Sequence, residues 1–242
     1  MPRPPVRTAS RTASSAGTDG GLRGGRDADA VIGELRAHLA ELAPVLRRAV
    51  NLDASALARI RAGSQTVSVF VTLPFRVLVS RTIAIDADVT LDATMNASDV
   101  LAWLDDPDAA VPRPRDEQWR GALPPRTGWR RLDAVPDDVV RNLVRSGALA
   151  LKEAAEREGV PGAQPRAEVA DALLDAVVLT VSDDAGAIAN IELRTISSLV
   201  RMGFVPRGSQ VTVDRSGRWT RVSGEYGSAY AAERGGLDLA SR

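Results

Sequence analysis

Residues 201–230, RMGFVPRGSQVTVDRSGRWTRVSGEYGSAY, hold the densest group of side chains that could do chemistry. Arg201, Arg207, Arg215, Arg218 and Arg221 fall on a helix end, a polar turn and two short strand-like runs. Guanidiniums so spaced can bind phosphate, as fixed charges and as paired hydrogen-bond donors. One reading is a basic hairpin that contacts an anion or nucleic acid. The other is a pair of closing strands, with Val211, Val213, Val222 and a mostly buried Trp219 facing in and the arginines along the edge. The structural reading is preferred. A winged helix would set helix 194–203 beside the hairpin, with Arg194, Ser197, Ser198 and Arg201 outward. Here two strands within 177–193 interrupt the helix pair that such a fold needs.

Other chemistry is short of raw material. The chain has no cysteine and a single histidine, His38. Thiol nucleophiles and thiolate metal sites are thereby excluded, and zinc or Ser-His-Asp chemistry loses most of its ligands. His38 falls one position from the apolar stripe of a helix and reads as a boundary residue. Asp86, Asp88 and Asp92 lack the ligand register and the bending glycine of a calcium loop, so they read as strand-edge or turn carboxylates. The acidic runs at 105–108, 137–138 and 183–184 read as linker, helix start and turn. Neither GxGxxG nor GxxxxGK[ST] occurs. No catalytic residue, metal ligand or cofactor site is assigned, and an enzyme is the least supported class.

The formal net charge is zero but unevenly spread. Residues 1–26 carry +4, residues 194–221 carry +5, and the stretch 27–193 carries −8. An anionic partner is therefore an option for the two basic ends alone. The most apolar run, 66–85, is broken by Pro74, Arg76 and Arg81 and falls short of the ~20 residues of a spanning helix. The N-terminus has charge but no apolar core of a signal peptide. A cytoplasmic protein without membrane contact is expected.

The elements that must position these residues can be read from periodicity. Residues 1–26 are Pro, Ser, Thr, Gly and Arg with little to bury, and read as a disordered basic tail; RTAS occurs twice, at 7–10 and 11–14. A helical pattern begins at Asp29, and Pro44 should kink or split it. From 66 the period changes to two, and the turn LPFR (73–76) joins two β-branched runs into a hairpin central to a sheet, with Val69, Val71, Val77 and Val79 in the core. A third strand is expected at 88–92 and a helix at 96–104. Residues 105–128, with five prolines and no period, form a connector. Its Trp119, with Trp129 just beyond it, suggests attachment to a surface rather than a free tether.

The second half then reads α-α-β-β-α-β-β. Its helices start near Asp137 and at 166 and 194, its strands lie at 177–182 and 187–193, and its last two close around the turn DRSG (214–217). The expected class is α+β: an N-terminal part at 27–104, the connector, a C-terminal part at 129–232 and a flexible end at 233–242.

Three stretches, VTLPFRVLVSRT, DEQWRGALPPRTGW and LVRMGFV…GRWTRVSGEYGSAY, resemble a type of conserved actinobacterial protein with no assigned activity. The resemblance covers roughly residues 30–230. It agrees with a composition in which Lys152 is the only lysine among 31 basic residues, and it implies no catalytic or binding residues. The functional expectation is a non-catalytic cytoplasmic interaction protein with a protein partner. The alternative is a nucleic-acid-associated regulator that uses the arginines of 194–221.

Overall fold

Pro44 divides the first helical run into two. Helix α1 (35–40) stops at a turn over residues 41–42, and α2 (Ala43–Leu52) restarts with the proline in its first turn, where the missing N–H costs nothing. Leu35, Leu39, Leu42, Leu46 and Ala49 of this pair are buried. A computed structural model describes residues 33, 35–63, 65–86, 89–106, 108–157 and 163–233. The expected tail at 1–26, and the chain beyond Glu233, lie outside the described residues.

Among the described residues, six helices and ten strands make an α+β fold. The first strands, β1 (Leu57–Gly63), β2 (Thr66–Thr72) and β3 (Leu78–Ala84), form an antiparallel meander. Val69, Val71, Val77 and Val79 are all buried. The third strand expected at 88–92 is instead β4 (Leu91–Asn96), which pairs with β1 and runs directly into α3 (Ala97–Asp105). A single 3₁₀ turn (Asp116–Gln118) interrupts the connector.

Then come β5 (Arg130–Pro136), α4 (Asp137–Arg157), α5 (Ala163–Asp175), the hairpin β6 (Val177–Ser182) and β7 (Ile188–Glu192), and α6 (Leu193–Arg201). The chain closes with β8 (Gln210–Ser216), β9 (Trp219–Gly224) and β10 (Gly227–Ala232), a second meander. Gly203, at φ +69°, takes the left-handed position just past α6, which glycine alone fills without strain.

Eight strands form one antiparallel sheet in the order β4-β1-β2-β3-β10-β9-β8-β5. The meanders meet where Leu78, Val79 and Ser80 of β3 pair with Tyr230, Ala229 and Ser228 of β10. The halves correspond. Each has a helix leading into a meander, α2 into β1 and α6 into β8. Each has an outermost strand that pairs with the meander's first strand and turns into a helix, β4 into α3 and β5 into α4. The chain order is permuted: the outer strand follows the meander in the first half and precedes it in the second.

The sheet's apolar face forms one core with the helices, through Ile60, Met95, Ile196, Leu199, Val213 and Val222. Its other face is polar. One row of paired residues runs Thr94, Arg59, Phe70, Ser80, Ser228, Ser223, Thr212 from β4 across to β8. The connector crosses this face. Trp119 meets the Arg59 guanidinium at 5.9 Å, and Trp129 lies 4.4 Å from that of Arg221 and 6.0 Å from the ring of Tyr230.

Candidate functional site

The arginines singled out by sequence go to separate tasks. Arg201 is exposed at the end of α6 and lies over the Phe75 ring at 5.6 Å. Arg207 is exposed in the loop before β8 and makes no ion pair with a described residue. Arg215 donates to the Ile188 carbonyl at 2.7 Å and pairs with Glu233. Arg221 donates to Asp214 at 3.0 Å, from a strand directly opposite, while its plane faces Trp129. Arg218 is exposed at the hairpin tip, and its side chain makes no ion pair with a described residue.

That tip is not the expected DRSG turn. Ser216 pairs with Trp219, so the loop is the two residues Gly217 and Arg218. Gly217 at φ +54° supplies the conformation that a type II′ loop needs first. Asp214 and Arg215, placed in the turn by sequence, are strand residues. Trp219, expected to be mostly buried, is only half-buried, and the buried tryptophan is Trp103.

Helix α6 does not face outward. Arg194, Ser197 and Ser198 are buried, as are all residues of the helix from Leu193 to Leu199, because the helix lies under the second meander and against α4. Ser198 donates its hydroxyl to the Arg194 carbonyl at 2.7 Å. This removes the recognition surface that a winged helix would require.

The residues left at water converge on a groove of about 720 Å³ that no single stretch announces. Five segments build it: the 73–77 turn with the start of β3, the connector at Trp119–Ala122, the β6–β7 hairpin, the start of α6, and the β9–β10 ends. Val77, Leu78 and Ala189 form an apolar floor. Trp119 and Trp219 are half-buried in the walls. Val177 and Ile188, each 53% exposed, complete them.

Its electrostatics are set by one buried cation. Arg194 is 4% exposed. It pairs with Asp175 and, at 3.4 Å, with Glu192, and it donates at 2.6 Å to the Phe75 carbonyl. Burying a guanidinium is tolerable only with such partners. Elsewhere, burial works against the charge of Asp92, but Arg59 and Arg61 outweigh it and hold the carboxyl below its usual range. Among the described residues no group of three or more His, Asp or Glu side chains is placed to hold a metal ion. No helix of the described residues is long and apolar enough to cross a membrane.

Residues 32–121 match a domain of unknown function, DUF8010, and residues 124–236 match another, DUF8185. No curated protein matches the sequence. Among solved structures, the fold is similar to a putative DNA polymerase III beta subunit from Eubacterium rectale, with a TM-score of 0.51 at 6% identity over 81% of this chain and 62% of that one. It is also similar to the DNA polymerase sliding clamp of Caulobacter crescentus, with a TM-score of 0.50 at 12% identity over 86% of this chain and 67% of that one. The DNA polymerase III subunit beta of Pseudomonas aeruginosa gives a TM-score of 0.50 at 11% identity, over 80% and 62%. The likeness is one of fold, and the chain spans about 62% of the length of most of these clamps.

Proposed function

We propose that this chain is a non-catalytic cytoplasmic interaction protein that binds a protein partner through the groove beside Trp119 and Trp219. The carrying observation is the make-up of that groove: large apolar side chains, two of them more than half exposed, around a concave floor. Such side chains gain when a partner removes them from water, and half-buried tryptophans are frequent anchors of interfaces. The commitments of the arginines support the reading. Arg194, Arg215 and Arg221 already hold carboxylates or carbonyls and are poor candidates for a phosphate clamp. The clamps that share the fold are subunits of a polymerase by name, and a role as a component of an assembly follows by analogy only.

The test is affinity purification of the tagged chain beside its folded Ile188→Asp variant. A protein recovered with the parent and lost with the variant is expected. Recovery unchanged by the variant would overturn the reading. The second reading, a nucleic-acid-associated regulator, is favoured by Arg207 and Arg218, which are exposed without acidic partners among the described residues, and by the fold shared with DNA polymerase clamps. Duplex DNA titrated at physiological salt should bind no tighter than about 10⁻⁴–10⁻⁶ M. Nanomolar binding abolished by Arg207→Glu with Arg218→Glu would replace the first reading with the second.

A further inference from the structure

We infer that the occupant of this groove is an acidic peptide segment of the partner, carrying large aliphatic or aromatic side chains and held by Arg76 and Arg218. The inference rests on the protein-partner reading above and adds the chemistry of the ligand.

Charge accounting around the groove leads to it. Of its acidic lining residues, Glu192 is paired with Arg194 and Glu233 with Arg215. Of its basic lining residues, Arg194 is already engaged with Asp175, Glu192 and the Phe75 carbonyl. Arg76 and Arg218 are exposed and make no ion pair with a described residue. Two guanidiniums are thus left uncommitted on the rim of an apolar cleft, which is complementary to carboxylates flanking apolar side chains.

Arg76 is also held in an uncommon conformation. Its φ is +62°, in the left-handed region that a non-glycine residue rarely takes. The turn that imposes this is closed twice: the Leu73 N–H donates to the Val77 carbonyl and the Arg76 N–H to the Leu73 carbonyl, each at 2.9 Å. The buried Arg194 anchors it by donating to the Phe75 carbonyl. Backbone strain maintained by surrounding structure concentrates at binding sites, and here it fixes the place from which a guanidinium reaches the groove.

The same features disfavour single-stranded nucleic acid. Bases stack on aromatic platforms along a continuous cationic track. Trp119 and Trp219 could serve as platforms, but the groove offers only two cations without an ion pair among the described residues, sets two carboxylates on the rim, and has branched aliphatic walls at Val177 and Ile188.

The experiment is selection of a random dodecapeptide display library on the full chain, followed by fluorescence anisotropy of a labelled lead peptide. Enriched peptides should carry Asp or Glu within a few positions of Leu, Ile, Phe or Trp. The lead should bind Arg76→Glu/Arg218→Glu at least tenfold more weakly, and Ile188→Asp likewise, since all three sites are exposed and the fold should persist. Arg207→Glu should leave binding unchanged. Arg194→Met should weaken binding and Arg194→Lys should restore part of it, as expected of an anchor for the turn.

A lead that binds the groove variants as well as the parent overturns the inference but leaves the partner reading intact, because the ligand then sits elsewhere. Absence of enrichment, or a basic consensus, overturns it too, and the purification with Ile188→Asp then decides the partner reading separately. A labelled dT20 that binds more tightly than the lead and is displaced by it gives the groove to nucleic acid. A concentration-dependent dimer in light scattering, dissolved by Ile188→Asp, gives it to a second copy.

Discussion

In the first half of the sheet the outer strand β4 is sealed by the connector. The Thr94 N–H donates to Asp116 and the Arg115 N–H to the Thr94 carbonyl, each at 2.6 Å. In the second half β5 holds the equivalent place, but its flank carries an insertion, α5 with the β6–β7 hairpin, tied to it by the Arg130–Asp183 ion pair. Both solutions manage the same liability, an edge that would otherwise invite another strand. Only the second leaves something over. The inserted hairpin stands beside the junction of the meanders, and its Val177 and Ile188 become a wall of the groove. One half is closed for stability, while its counterpart is extended into a surface.

The largest effects should come from asking whether the halves are one unit. Val71→Asp in the first meander and Val222→Asp in the second each bury an unpaired charge, at roughly 3–5 kcal/mol. The fluorescence of Trp103, which lies in the first half, should be lost together with the helical signal in both variants. A Val222→Asp protein that kept native Trp103 emission would show two independent halves.

Next is the contrast between tryptophans. Trp103→Ala, in the core at 3% exposure, should cost about 3–5 kcal/mol. Trp219→Ala, half-buried at the groove, should cost about 1–2 kcal/mol. Equal costs in urea denaturation would mean that the groove wall is core. Asp116→Ala removes the charged acceptor that seals β4, worth about 1.5–3 kcal/mol, and should raise aggregation on heating. No loss of solubility or stability would show that the strap does not protect the edge.

Smaller effects separate the two ends of the hairpin tip. Arg215→Glu breaks the contacts to Ile188 and Glu233 and should cost about 1 kcal/mol, whereas Arg218→Glu should change stability by less than about 0.5 kcal/mol. The reverse order in thermal melts would mean that Arg218 is committed. Smallest is Asp92. Its folded pKa lies below the ordinary carboxylate value, so its stabilisation is present above about pH 4 and fades as pH falls through the lower folded value. At 39% exposure, Asp92→Asn should cost about 0.5 kcal/mol at pH 7 and progressively less as pH falls below about 4. A cost that did not fall with pH would assign the effect to packing.

The β2–β3 hairpin was legible because β-branched residues alternate around a Pro turn. β1 was not: Ala58, Ile60 and Ala62 face the core, but two are alanines, weak strand formers, and arginines fill the intervening places. β5 hid behind Arg130, Arg131 and Pro136, and β10 behind glycine, serine and alanine. The correspondence of the halves gave no internal repeat, since the chain visits the equivalent strands in permuted order. Arginines could be counted in the sequence but not paired. Arg221 meets Asp214 only because the two-residue loop sets that register, and a turn one step earlier would have separated them. The groove was illegible because its five segments are individually ordinary and only the sheet order brings them together.

The β3–β10 pairing has a consequence for how the chain reaches this state. Ser80 and Tyr230, which share a hydrogen bond at 2.9 Å, are 150 residues apart. Each meander closes through short turns and can form early, but joining them requires a long loop whose closure entropy comes due before any contact rewards it. At ~5–20 residues per second, β3 waits on the order of ten seconds during synthesis for its partner strand to emerge. Through that interval it is an open edge. Ser80, Arg81 and Thr82, polar residues in the middle of a strand, are suited to keep the waiting edge from pairing with the wrong chain.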